Sequence, residues 1–431
     1  MSGRAAIAVL VAGTAIGAAW PWFAAHRAAA SAASAPIWDD YRRRNATVAF
    51  YEAQARRDPA DQITLRMLAA EYLQRFRESG DLNDVTRALA AATRSARLQR
   101  QGNVAALGVI ASCELAFHRF GTALAAERAA VEATPFDDNA RAQTASILME
   151  LGRYEEAAQI VTHPKERESN PTWMSIRARY DELTGNLSDA RVQMAEATAL
   201  IDRMLSVPAY TRSWYHQRNG QLAFEDGDDA LARAELDEAL RIFPDNAQSL
   251  LLQAKLYRAR REWRRALAAA RRSAELYPLP QALGYEADAQ RALGDVTGAR
   301  QTDALIVAEQ RLFNAQGIND RLLAMYYAEH REHLSDALRA ARSDLAKRGD
   351  EIYADDTMAW VLAALQRWDE ARHYAQRAMR YGTQDAELRY HAGIIALHTG
   401  HPEEARRRLA AALAIDPHFH PFYADDARAR L

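Results

Sequence analysis

Ten alanines recur along this chain at a nearly fixed interval: Ala88, Ala123, Ala157, Ala190, Ala232, Ala266, Ala299, Ala337, Ala371 and Ala405, with several gaps of 34 residues. A small residue at a fixed period is what crossing helices require, because a side chain beyond Cβ would push the two backbones apart. The sequence therefore reads as an array of helical hairpins. Glycines or polar turns precede most of these alanines. Pro135, Pro244, Pro278 and Pro417 stand twelve residues after theirs, where proline ends a helix.

Composition agrees, since Ala, Leu, Arg, Glu and Gln dominate and Gly and Pro fall at turns. No segment shows the alternation of a strand. A chain of 431 residues would ordinarily divide into two or three globular domains, but a stack of hairpins buries its core between neighbours and grows without dividing. One elongated all-α domain follows. The 57 acidic and 55 basic residues leave a net charge of −2, which disfavours nucleic acid as a partner. Only Lys165, Lys255 and Lys347 are lysines, a bias that carries no function.

Three units are specific. Gly152 to Ala158 reads GRYEEAA, Gln366 to Arg372 reads QRWDEAR and Gly400 to Arg406 reads GHPEEAR, each a turn followed by the start of a second helix. With the period they make residues 60 to 420 resemble the tetratricopeptide repeat. That pattern also wants a small residue within the first helix of each unit, met by Ala111, Ala145, Ala178, Gly220, Ala254, Ala359 and Gly393. The resemblance implies an α-solenoid of about ten hairpins wound into a right-handed superhelix. Extra residues between Tyr72 and Ala88, Ala190 and Ala232, and Ala299 and Ala337 imply lengthened helices. The array then spans 60–417, preceded by a capping helix or half-repeat over 37–59 with Trp38, Val48, Phe50 and Tyr51 as its apolar residues, and closed by a capping segment over 418–431. FYEAQARRDP and the stretch from Leu388 to Phe419 look like parts of exported bacterial tetratricopeptide proteins without assigned activity.

Residues 1–36 stand apart. Ala5 to Ala25 carries no charge and ends in Trp20-Pro21-Trp22-Phe23, before an Ala/Ser-rich run to Pro36. It reads as a signal peptide or a membrane anchor. The small-residue run Ala30-Ser31-Ala32 favours cleavage and a mature chain starting between Ser31 and Pro36. Either way the repeats are expected outside the cytoplasm, periplasmic or tethered to the inner membrane, with membrane contact only through this segment.

No chemistry-bearing constellation emerges. Cys113 is the one cysteine, set beside core positions, and is expected to be a small buried hydrophobe. His330 with His333 and His398 with His401 repeat a three-residue spacing, but zinc wants three or four ligands, so exposed histidines at helix ends are expected. No nucleophile with a base, no phosphate loop and no metal spacing is present, so catalytic, cofactor and metal residues are none.

Binding residues are expected on the first helices. In tetratricopeptide proteins the positions of Trp214 and Trp360 face the concave groove; Gln217, Gln221, Phe224, Gln248, Leu251, Lys255, Arg258, Tyr353, Asp356, Tyr390 and Ile394 complete a mixed polar and aromatic lining. Phe120, Tyr154, Trp263 and Trp368, three residues before a crossing alanine, read as packing. Arg258, Arg260, Arg261, Arg264, Arg265, Arg271 and Arg272 fall within fifteen residues. They are a solvated face or, through Arg260, Arg261, Arg264 and Arg265, a cationic patch for an anionic polymer. The expected function is a non-enzymatic envelope scaffold that holds a protein or peptide on its concave face. The alternatives are a repeat arm of an envelope assembly or export complex and, last, an enzyme.

Overall fold

The computed structural model describes residues 40–162, 169–315 and 321–431. The signal or anchor expected over residues 1–36 lies outside the described residues. Every regular element among the described residues is a helix. After a lone α1 (Asp40–Arg57) come the hairpins α2 (Gln62–Ser79) with α3 (Leu82–Leu98), α4 (Val104–Ala116) with α5 (Phe120–Ala133), and α6 (Asp138–Glu150) with α7 (Tyr154–Val161). Next are α8 (Pro171–Leu183) with α9 (Leu187–Arg203), α10 (Ala209–Glu225) with α11 (Asp229–Ile242), and α12 (Ala247–Ala259) with α13 (Trp263–Leu276). Then come α14 (Pro280–Ala292) with α15 (Val296–Ala315), α16 (Arg321–His330) with α17 (Leu334–Arg348), α18 (Ile352–Ala364) with α19 (Trp368–Ala378), and α20 (Ala386–His398) with α21 (Pro402–Ile415). The short α22 (Tyr423–Ala429) closes the chain. No described helix is long and apolar enough to cross a membrane.

The crossing alanines sit where two helices of a hairpin touch, and all ten are at most 2% exposed. Twelve residues before eight of them, the first helix presents its own small residue, while Phe76 and Met325 stand at that spacing before Ala88 and Ala337. A Cβ on Gly220 would meet Leu236 at 3.1 Å, and one on Gly393 would meet Leu409 at 2.9 Å. Ala287 fills the same place in α14, fully buried. The turn between helices needs a left-handed residue five positions before the alanine, supplied by Gly152 at φ +67° and by Gln366 at φ +60°. The lengthened helices are found where expected: α9 and α10 have 17 residues each, α15 has 20, and α2 and α3 have 18 and 17, against 13 and 14 in α12 and α13.

The superhelix winds tightly enough for successive turns to touch. Tyr154 Oη accepts from the Ile352 amide at 3.2 Å, and Thr383 Oγ1 donates to the Leu183 carbonyl at 2.6 Å, across 198 and 200 residues. Arg348 pairs with Glu150 in the same seam. One superhelical turn therefore takes up about 200 residues, five to six hairpins. α1 takes part: it packs on α2 and reaches α10, where Asp40 accepts from the Ala209 amide at 2.9 Å and the Tyr41 ring meets Phe243 at 4.9 Å. Its Val48 is buried as expected, but Phe50 is exposed, since the face that meets α2 does not include it.

Candidate functional site

Winding the hairpins this tightly turns one face of each first helix toward the superhelix axis. From α8 to α20 these faces enclose a cavity of about 250 Å3. Polar residues line it rather than a core: Arg179 from α8, Gln221 and Glu225 from α10, Lys255 from α12, Tyr285 from α14, and Arg321 and Glu329 from α16. Tyr353 and Asp356 of α18, Asp385 before α20 and Glu387 within it complete the wall.

Every cation in this wall is already committed. Arg179 pairs with Glu182, whose other oxygen takes Arg218 at 2.6 Å. Lys255 meets Glu387 at 3.0 Å and Arg321 meets Glu351 at 2.8 Å. Burial opposes the charge of Glu387, yet Lys255 holds its carboxyl below the usual range. Behind the wall Arg258 binds Asp288 at 2.7 Å and Glu329 at 3.3 Å. Two carboxylates are left over. Glu225 accepts from Gln221 Nε2 at 2.8 Å, and Asp385 accepts from the Glu387 and Leu388 amides and from Tyr353 Oη at 3.3 Å. Neither has an ion-pair partner among the described residues. Burial, with Glu182 close by, pushes Glu225 up to about 8, and burial with Glu387 close by raises Asp385.

Of the residues expected to line the concave face, Gln221, Lys255, Tyr353 and Asp356 are in this wall. Gln217 and Arg258 are buried. Trp214 is half-buried beside the Met174 and Met194 cluster. Leu251 belongs to the core and Gln248 is exposed. Trp360 and Tyr390 lie away from the axis, under the C-terminal segment. Tyr390 is 5% exposed, donates to Asp426 at 2.8 Å and stacks on Tyr423 at 4.5 Å. Glu225 and Asp385 went unnoticed in the sequence, because a leftover charge is visible only once all the partners around it are placed.

The arginine run is not an open patch. Arg260 pairs with Asp229 and with Asp416 at 3.0 Å, and Arg261 binds the Pro421 carbonyl and Asp425. These two side chains strap the C-terminal segment onto the α12–α13 turn. Arg265 reaches Glu262 at 2.8 Å, and Arg264 is exposed with no ion pair among the described residues. Of the four histidines expected to be exposed at helix ends, His333, His398 and His401 are exposed and one departs. His330 is not exposed, but bonds Asp288 at 2.8 Å, and His420 is buried 3.6 Å from Glu329. His398 stacks on Trp368 at 3.9 Å. Cys113 is fully buried, and burial pushes its thiol up to about 12. No cluster of His, Cys, Asp and Glu among the described residues could hold a metal ion.

The sequence profile of the tetratricopeptide repeat matches residues 73–138 and 357–418. No curated protein matches. Among solved structures, the chain is similar to the APC/C hetero-tetramer Cut9–Hcn1 at 12% identity and a TM-score of 0.33, covering 90% of this chain and 93% of that one. A tetratricopeptide repeat protein from Parabacteroides merdae is 18% identical over 55% of this chain and 88% of that one, at a TM-score of 0.40. Yeast Tom70 is 12% identical over 90% and 92%, at 0.35.

Proposed function

We propose that this chain, a tetratricopeptide-repeat protein, is a non-enzymatic scaffold of the cell envelope that holds a protein partner along the inner face of its superhelix. The observation that carries the reading is the axial cavity, where seven first helices spend polar side chains on a surface instead of a core and leave Glu225 and Asp385 without an ion-pair partner among the described residues. A half-buried carboxylate lacking an ion-pair partner is costly, and a basic side chain from a bound segment would relieve both. The uncharged run from Ala5 to Ala25 supports placement in the envelope. The groups the wall leaves to a partner are Glu225 and Asp385.

Affinity capture from envelope extract tests this with the wild type and a Glu225→Gln, Asp385→Asn double variant. Asn at 385 keeps the helix cap, so circular dichroism should match the wild type. The expected result is loss of the captured partner. Undiminished capture by the folded variant would sink the interior reading and move the contact to an outer face.

A further inference from the structure

A second cavity, of about 220 Å3, lies at the C-terminal end of the superhelix beneath α22. Its floor is apolar, made by Ala363, Ala364 and Ile394, and its walls are aromatic, chiefly Trp360 and Trp368. The rings cannot swing in to fill it, because each is held flat against a neighbour: Trp360 on His391 at 4.2 Å and 18°, and Trp368 on His398 at 3.9 Å and 5°. An apolar cavity smaller than this one admits a benzene ring.

Polar groups at this cavity divide into satisfied and unsatisfied. Asp426 takes Tyr390 Oη at 2.8 Å and Arg430 at 2.7 Å, and Glu329 takes Arg258. Arg331, exposed on the α16–α17 turn at φ +54°, has no carboxylate within ion-pair reach among the described residues. Trp360 Nε1 is buried and has the Tyr423 hydroxyl as its neighbouring acceptor, as a buried indole N–H requires. A slot with an apolar floor, aromatic walls and an unpaired guanidinium at its rim define what is missing: a planar ring carrying a negative charge.

We propose that this cavity is a binding site for a small aromatic carboxylate, its ring between Trp360 and Trp368 and its carboxylate on Arg331. The assignment is independent of the partner reading, which concerns the axial cavity. An acidic side chain next to an aromatic residue in a peptide offers the same chemistry, so the test includes that source.

Isothermal titration of the full chain uses indole-3-acetate, indole-3-acetamide and the blocked dipeptide acetyl-Trp-Glu-amide. The expected result is saturable binding of the acid about three- to fivefold tighter than the amide, since a charge-assisted pair to an exposed guanidinium has roughly that worth. Arg331→Gln should erase the difference while leaving the amide unchanged. The fold should survive it, because Gln366 already holds the same left-handed position after the first helix of the next hairpin, its amide bonding three residues back as that of Arg331 does. Ala363→Phe should abolish binding of both by filling the slot. Equal affinities for acid and amide, an unchanged preference in Arg331→Gln, or no saturation up to about 10 mM would each overturn the proposal. Binding of the dipeptide in preference to the free acid would reassign the site to a partner's side chain.

Discussion

Gly152 and Gly400 hold the same turn position in two hairpins, at φ +67° and +78°, yet they differ in what surrounds them. A Cβ at Gly400 meets nothing within 4 Å, whereas one at Gly152 collides with the backbone of Asp350 and Glu351 in the next superhelical turn. Gly400→Ala should therefore cost only the left-handed penalty of about 1–2 kcal/mol. Gly152→Ala should cost several times more, read as a larger drop in urea midpoint; equal drops would mean that the seam between turns is soft. Glu127 makes a second case. It is 3% exposed, and burial, with Asp137 nearby, pushes its carboxyl up to about 7. The folded chain thus binds more protons there than the unfolded chain between about pH 4.5 and 7, so this group lowers stability as pH rises through that window. Glu127→Gln should remove that slope and leave the variant more stable above pH 7 by roughly 2–3 kcal/mol; parallel stability curves would refute it. Residues whose role is steric were legible in the sequence, the crossing alanines and Cys113 among them, because a periodic contact fixes a size at a fixed spacing. Residues whose role is electrostatic were not. His330 finds Asp288 42 positions earlier and Arg261 finds Asp425 164 positions later, and no local pattern announces either pair.

A helix in this stack is specified by its caps and its small residues more than by its apolar stripe. Asn246 shows the first device: it is 2% exposed, its Oδ1 accepts from the Ser249 amide at 3.1 Å and its Nδ2 donates to Ser213 Oγ at 2.8 Å, tying the start of α12 to α10. Asn246→Ala should cost about 2 kcal/mol, the sum of a lost cap and a lost bond to Ser213, whose hydroxyl still donates to the Ala239 carbonyl at 2.7 Å. Asp81→Ala, which removes an exposed cap bonded to the Asn83 amide at 3.0 Å, should cost about 1 kcal/mol. Thermal unfolding of the two variants checks the ordering. The small residues are tested by Ala371→Leu at a fully buried crossing against Ala410→Leu on the exposed face of α21. The first should lose about 1–3 kcal/mol by overpacking and the second almost nothing; matched melting temperatures would mean that the hairpins cross elsewhere. At this scale the sequence was easily read, since helix ends follow from Pro135, Pro244, Pro278 and Pro417 and helix lengthening from the breaks in the 34-residue period. What it hid was the role of α22, because a seven-residue polar helix carries no sign that its Tyr423 will stack on Tyr390.

A repeat array whose units touch only their neighbours has stability that adds along the chain and opens locally. This chain departs from that rule through its seam. Glu150 meets Arg348, Tyr154 meets Ile352, Leu183 meets Thr383 and Asp229 shares Arg260 with Asp416, so hairpins remote in sequence bear on one another at every step. Nothing in the 34-residue period reveals this. The pitch of a superhelix comes from small rotations summed over five to six hairpins, and the lengthened α9, α10 and α15 change that sum without changing the motif. The concave face expected to be an open channel therefore becomes a narrow axial cavity, and Trp360 and Tyr390 end up beneath the chain's own C-terminus. Coupling across the seam has a direct consequence. In a nearest-neighbour stack Thr383→Val would loosen only the α19–α20 junction. Here the lost hydroxyl also strips the Leu183 carbonyl of its 2.6 Å bond, leaving a buried acceptor unmet, a loss of about 1–3 kcal/mol. Hydrogen–deuterium exchange should accordingly accelerate both in residues 378–388 and, two hundred residues earlier, around the α8–α9 turn at residues 180–187, with α12 and α13 unchanged. Acceleration confined to 378–388 would show that the turns merely lie side by side, and that each hairpin stands on its neighbours alone.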